Sequence, residues 1–185
     1  IGLFVSSLES YNSPYDKFVR KDTSALTISQ KKGRQLFFSA ELKCASCHGG
    51  YNFSTPEITN DKGDTTFYFN TGLYNIDGKG AYPAYDEGLY QLTKNKADMG
   101  KFRVPSLRNL LFTAPYFHDG SAATLTEVIE AYANGGRKIE EGIYKGDGSK
   151  NSFKHAFIKG FSITPEDKIN LISFLQSLSD TDFIN

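Results

Sequence analysis

The chain is poor in the residues that most often carry chemistry. Its 185 residues include two cysteines, one methionine, three histidines and no tryptophan. Two cysteines cannot build a multi-bridge disulfide framework. There is no second CxxC and no HxxxH pair, so a four-ligand zinc site lacks half its ligands. Lys plus Arg number 21 and Asp plus Glu number 21, so the formal charge is zero. With no basic run either, nucleic acid is excluded as a partner, and nothing suggests strong long-range steering toward a charged redox protein. No apolar run approaches the length needed to span a membrane, and no signal peptide is visible. The chain starts at Ile1 rather than an initiator Met, which leads us to expect a processed protein or a piece of a longer one. What the chain has in quantity is Phe (15) and Tyr (11). The length suits one large domain, or a small one with long insertions.

Both cysteines stand beside one of the histidines, as C-A-S-C-H: Cys44, Cys47 and His48. This CxxCH spacing is the attachment signature of a c-type haem. Two thiols three residues apart can add to the two vinyl groups of one porphyrin, and the adjacent His then reaches the iron from the proximal side. A disulfide across the same spacing would leave the His unexplained. One covalently bound haem c is therefore expected. Bacteria attach haem outside the cytoplasm, so a periplasmic or otherwise extracytoplasmic location is expected too.

The chain reads as all-α: a class I cytochrome c-like domain with long loop insertions. Leu3, Phe4 and Leu8 have helical spacing and suggest the end of a connecting helix, broken near Pro14. Residues 1–20 then form the end of an inter-domain helix and linker, and 21–185 the haem domain. A helix is predicted over about 29–39, with Ser29 as N-cap, leading into the CxxCH turn. Residues 51–103 have no helical period and read as an aromatic-rich loop region that could cover haem faces. Thr124 and Glu127 form a capping box for a helix carrying Leu125, Val128, Ile129 and Tyr132 on one face, ended by Gly135-Gly136. Thr164 and Pro165 open a last helix, with an apolar stripe of Ile169, Ile172, Leu175 and Leu178.

The second axial position decides the haem's chemistry. Its candidates are Met99, Tyr132, His118 and His155. Met99 is the ordinary choice for an electron carrier but lies in a polar stretch. Tyr132 points inward, as a core tyrosine would. His118 suits a haem-pocket contact or a loop position, and His155 a surface one. From the residues alone the choice stays open.

The stretch 102–136 (F-R-V-P-S-L-R-N-L-L-F-T-A-P-Y-F-H-D-G-S-A-A-T-L-T-E-V-I-E-A-Y-A-N-G-G) resembles the C-terminal haem domain of the bacterial di-haem cytochrome c peroxidase/MauG superfamily. N-S-P-Y-D, C-x-x-C-H-G-G, F-N-T-G-L-Y-N, D-M-G-K-F-R and the T-P-E-D helix are similar to its MbnH-like branch. The resemblance spans nearly the whole chain. It implies a His48/Tyr132 ligand pair, because Tyr132 lies fourteen residues beyond His118, with Met99 as the alternative. It implies calcium held in part by the Thr113 and Pro115 backbone carbonyls, and Arg108 as a propionate contact or a structural ion pair. It also implies a second haem on an absent N-terminal domain.

The function implied is a peroxidase part that relays or stores oxidising equivalents while hydrogen peroxide oxidises a small redox protein or a protein side chain. The alternative is a stand-alone mono-haem electron-transfer cytochrome; a haem-binding sensor module is a weaker third reading.

Overall fold

Three reciprocal capping boxes and one Thr–Pro start set the helical frame. The structure, a computed structural model, describes residue 2, residues 9–54 and residues 67–183. The expected helix around Leu3, Phe4 and Leu8 lies outside the described residues. Helix α1 (Pro14–Val19) starts where a break was expected. Pro14 does interrupt what precedes it, but it occupies the first helical turn, where its missing N–H costs nothing. Ser13 caps it and Asp16 returns the hydrogen bond.

Helix α2 (Ile28–Phe37) is capped by Thr27 with Gln30, not by Ser29. Ser29 is already helical, and its hydroxyl donates to Asn170 Oδ1 at 2.7 Å. After the short α3 (Tyr90–Thr93), helix α4 (Leu125–Ala133) has the Thr124/Glu127 box read from the sequence. Helix α5 (Pro165–Gln176) is capped by Thr164. Its buried apolar residues are Leu171, Phe174 and Leu175, with Leu178 just beyond the helix, whereas Ile169 is 64% exposed. The buried set has the i, i+3, i+4, i+7 spacing of one helix face; a strict three-residue step drifts off that face.

Helices α2 and α5 make the principal helix–helix contact. Gly33 allows it: a Cβ there would sit 1.9 Å from the Asn170 carbonyl oxygen and 2.8 Å from Phe174 Cβ. Around this crossing lies the larger core, built on Phe37, Phe53, Ile129, Leu171, Phe174 and Leu178. Residues 9–20 pack onto it. The Tyr15 ring meets Phe174 edge-on at 5.4 Å, and Tyr15 N–H donates to the Ser177 carbonyl.

The fold is not all-α. Strands β1 (Tyr68–Phe69) and β2 (Phe102–Arg103) pair antiparallel, as do β3 (Lys138–Ile139) and β4 (Gly146–Asp147). The loop insertions must satisfy their own backbone groups, and short ladders do so. Strands of two residues are too short to leave a period in the sequence. These ribbons flank a second core of Leu73, Tyr74 and Tyr82, with Met99, Phe102 and Phe117 against it. Residues 67–103 of the expected aromatic loop therefore have their own core, in which Tyr74 and Tyr82 meet edge-on.

Candidate haem site

The CxxCH segment is a 3-10 turn (Cys44–Ser46) entered through Lys43 in the left-handed region, φ 56°. The Cys44 carbonyl accepts from Cys47 N–H and from His48 N–H at 2.9 Å, closing the turn. No disulfide joins the cysteines. Burial pushes the Cys44 thiol up to about 12 and the Cys47 thiol up to about 11.

His48 is held by a backbone group that the sequence does not mark. Its Nδ1 lies 3.0 Å from the Phe53 carbonyl oxygen. A carbonyl only accepts, so Nδ1 carries the hydrogen and Nε2 carries the lone pair. Burial lowers the pKa of His48 against the opposing pull of the Phe53 and Pro105 carbonyls, which keeps the ring neutral. Phe53 aims its carbonyl from a left-handed conformation, φ 52°. Its buried ring packs against Tyr15 and Phe37 and fixes that strained backbone.

Tyr132 follows Leu125 and Ile129 on the inner face of α4. It lines a small cleft with Thr71, Leu73, Phe117, Ala131 and Arg137. Burial raises its phenol pKa, and the Cys47 and Cys44 sulfurs, within electrostatic reach, raise it further. Met99 packs against the Leu73–Tyr74–Tyr82 core, and its carbonyl accepts from Asn70 Nδ2 at 2.8 Å.

The other candidates have protein partners of their own. Arg108 makes a bidentate pair with Asp16, both contacts at 2.9 Å, donates through Nε to the Tyr51 carbonyl, and lies 4.1 Å from the Tyr51 ring centroid. His118 meets Asp86 at 2.6 Å and stacks on Phe102 at 3.5 Å. His155 packs edge-on against Phe69 and Phe157. Thr113 and Pro115 lie in an exposed loop, and their carbonyls accept no backbone hydrogen bond among the described residues.

These residues fit a haem. A neutral imidazole with its Nε2 lone pair available stands beside two thiols, and Cys44 packs against the core that holds Leu125 and Ile129, the face of α4 that carries Tyr132. Cys44, Cys47, His48 and Tyr132 are each shielded yet partly open to solvent, as the lining of a crevice is.

Frame and turn together define a cytochrome c-like domain. No protein-family model matches the chain. The chain is 33% identical to the cytochrome-c peroxidase IdrP2 of Denitromonas iodatirespirans, over 97% of this chain and 47% of that protein. It is 29% identical to the methylamine utilization protein MauG of Methylorubrum extorquens, over 96% of this chain and 42% of that protein. A solved MauG-like protein associated with microbial copper homeostasis superposes with a TM-score of 0.87 at 42% identity, over 95% of this chain and 50% of that one. The chain belongs to the di-haem cytochrome c peroxidase/MauG superfamily. It spans about half the length of the relatives it matches.

Proposed function

We propose that this chain is the C-terminal haem domain of a MauG-like di-haem peroxidase, working with an N-terminal haem domain that the 185 residues do not include. Haem c, when bound, supplies one-electron redox chemistry. Cys44 and Cys47 tether it through thioether bonds. His48 holds the proximal side through Nε2, with its ring angle set by the Phe53 carbonyl, and such an outer partner also raises the basicity of the ligand. Tyr132 holds the distal side through its phenol oxygen; Met99 is the alternative. Were His48 and Tyr132 both to hold the iron of a bound haem, they would leave no open position for peroxide. The domain therefore relays or stores oxidising equivalents, and hydrogen peroxide reacts at the other haem. Electrons come from a small redox protein or a protein side chain. Arg108 acts as a structural ion pair, since its guanidinium is already engaged by Asp16 and Tyr51. Thr113 and Pro115 contribute carbonyls to a calcium completed by the absent domain, and exposed Leu111 and Phe112 beside them form an apolar edge for it to cover. An extracytoplasmic location follows from covalent haem attachment; among the described residues no helix is long and apolar enough to cross a membrane.

The observation that carries this reading is the position of Tyr132, one turn after Ile129 on the inner face of α4, whose Leu125 and Ile129 belong to the core that Cys44 packs against. Its test is spectroscopic. Tyr132→Phe is expected to abolish the native ferric spectrum while Met99→Leu leaves it intact. The reverse pattern, together with a Met–iron charge-transfer band in the wild type, would establish an electron-carrier cytochrome instead.

A further inference from the structure

A file of four tyrosines runs from the site to solvent. Tyr132 lines a cleft with Leu73 and Phe117, and both pack in the core that holds Tyr82 and Tyr74. The Tyr82 ring meets Tyr74 edge-on at 5.4 Å, Tyr74 meets Tyr144 at 5.8 Å, and Tyr144 meets Tyr85 at 6.4 Å. The Tyr85 and Tyr144 hydroxyls are 2.9 Å apart. Tyr82 and Tyr74 are 5% and 6% exposed, and Tyr85 is 71% exposed. Loop packing accounts for the buried pair. It does not account for a large exposed ring hydrogen-bonded to the end of the file, or for the carboxylate placed on its middle member.

That carboxylate matters because a tyrosine gives up an electron near neutral pH only if its phenol proton leaves too. The Tyr74 hydroxyl donates to Asp119 Oδ2 at 2.6 Å. Arg137, 3.9 Å from the same oxygen, favours the ionised carboxylate. The buried neighbour Tyr82 has only an amide oxygen as acceptor, Asn70 Oδ1 at 2.9 Å.

We propose that Tyr82, Tyr74, Tyr144 and Tyr85 form a one-electron relay that brings oxidising equivalents from the haem site to a donor-docking position at Tyr85, where an aromatic side chain of a partner protein supplies the electron. This rests on the haem reading above. The oxidant is hydrogen peroxide, which takes two electrons and two protons to give two waters at the enzyme's haem centre. For each electron withdrawn, Tyr82 serves as a bridging ring and is not itself oxidised, and Tyr74 loses one electron and passes its phenol proton to Asp119. Tyr144 then reduces the Tyr74 radical, which recovers its proton from Asp119; the Tyr144 proton passes into the Tyr85 hydroxyl, whose own proton goes to water, and Tyr85 reduces Tyr144 and returns that proton across the 2.9 Å contact. The net change is one electron from Tyr85 and one proton to water, until the partner refills the hole.

The full-length haem-loaded protein, treated with peroxide without a donor in the presence of a radical trap, tests this by peptide mass mapping. The haem absorption spectrum is recorded in parallel. Trap is expected on Tyr85, with little on Tyr11, which is 54% exposed and outside the file. Tyr74→Phe keeps the ring but has no proton to pass, and should cut labelling at Tyr85 on the order of a hundredfold, the scale of a positioned proton acceptor. Tyr11→Phe should leave it unchanged. Asp119→Asn offers a second route to the same loss if Tyr74→Phe folds poorly. A normal haem response with Tyr85 unlabelled, or labelled equally in Tyr74→Phe and Asp119→Asn, overturns the relay alone. A haem spectrum that ignores peroxide overturns the peroxidase reading and the relay with it.

Discussion

The two halves of the molecule are held by different chemistry. Around the α2/α5 crossing the largest buried side chains are apolar, with Phe37, Phe174 and Leu178 at 1% exposure or less, and Asn170 and Ser177 are the polar residues buried beside them. In the loop-rich half the buried residues include Asn70, Asn75 and Asn151, each at 5% or less. Each asparagine acts as a hub for backbone groups. Asn70 donates to the Met99 carbonyl and accepts from Gly72 N–H and Tyr82 O–H. Asn75 joins the Asp147 carbonyl to Gly80 N–H. Asn151 donates to the Tyr74 and Gly80 carbonyls and accepts from Phe153 N–H. A helix satisfies its own backbone and needs only an apolar face; a long loop has to borrow partners. The difference also suits the proposed roles. The packed half presents His48 on a rigid turn, and the hydrogen-bonded half carries the opposite wall and the tyrosine file.

The sharpest way to break the comparison is Gly33→Ala. If the helical half is a close-packed crossing, a methyl 1.9 Å from the Asn170 carbonyl oxygen must force α2 and α5 apart. A loss of about 4 kcal/mol or more in chemical denaturation is expected, at the extreme of what overpacking does because the obstacle is backbone. A loss under about 1 kcal/mol, the ordinary helix gain of Ala over Gly notwithstanding, would show that the crossing is loose. The loop half has its counterpart in Asn70→Ala. It removes partners from one carbonyl, one N–H and one hydroxyl and should cost about 3 kcal/mol. If the hubs are essential to the loop half, amide exchange should rise around Gly72 and Met99 and leave α5 protected.

What was legible in the sequence follows the same division. Thr124/Glu127 and Thr164/Pro165 were readable because a cap is a local rule acting over three residues. Ser29 was misread as a cap because Thr27, with Gln30 three residues on, is the stronger box. Of the α5 stripe, Leu175 and Leu178 are buried and Ile172 packs against the core, whereas Ile169 is exposed and Leu171 takes the inward place, because both are apolar and only the α2 contact decides between them. The short ribbons and the asparagine hubs left no mark: asparagine in a loop reads as a turn residue whether it is buried or not. At the site, Cys44, Cys47 and His48 are brought together by contiguous sequence. Tyr132 comes close to them only through folding, and the Phe53 carbonyl on His48 is a backbone group that no side-chain pattern can show.

Two ion pairs of equal length give the smaller predictions. Arg108–Asp16 and Lys32–Glu166 both measure 2.9 Å. The first has side chains 7% and 9% exposed, the second 52% and 74%. Burial would push the Asp16 carboxyl up, but the Arg108 guanidinium and Ser13 hold it below the usual carboxylate value. A depressed carboxylate stabilises the fold above its unfolded-state pKa, and that contribution is lost as pH falls through the lower folded-state value. The denaturation midpoint of the wild type should therefore decline below about pH 4. Asp16→Asn should start lower at neutral pH and lose this part of the acid dependence. Parallel curves for the two proteins would show that the pair contributes nothing.

Lys32→Gln should do almost nothing, which is informative because the contact it removes is as short as the buried one. In water the Coulomb attraction of an exposed pair is largely cancelled by solvent screening and by the entropy of holding two long side chains together. Glutamine keeps most of the stem of Lys32 and its helix propensity, so only the charge is tested. No measurable change in melting temperature is expected at low or high salt. A clear loss at low salt that vanished at high salt would mean that Lys32 and Glu166 tie α2 to α5 electrostatically. In that case the apolar crossing at Gly33 would not be what holds this half of the molecule together.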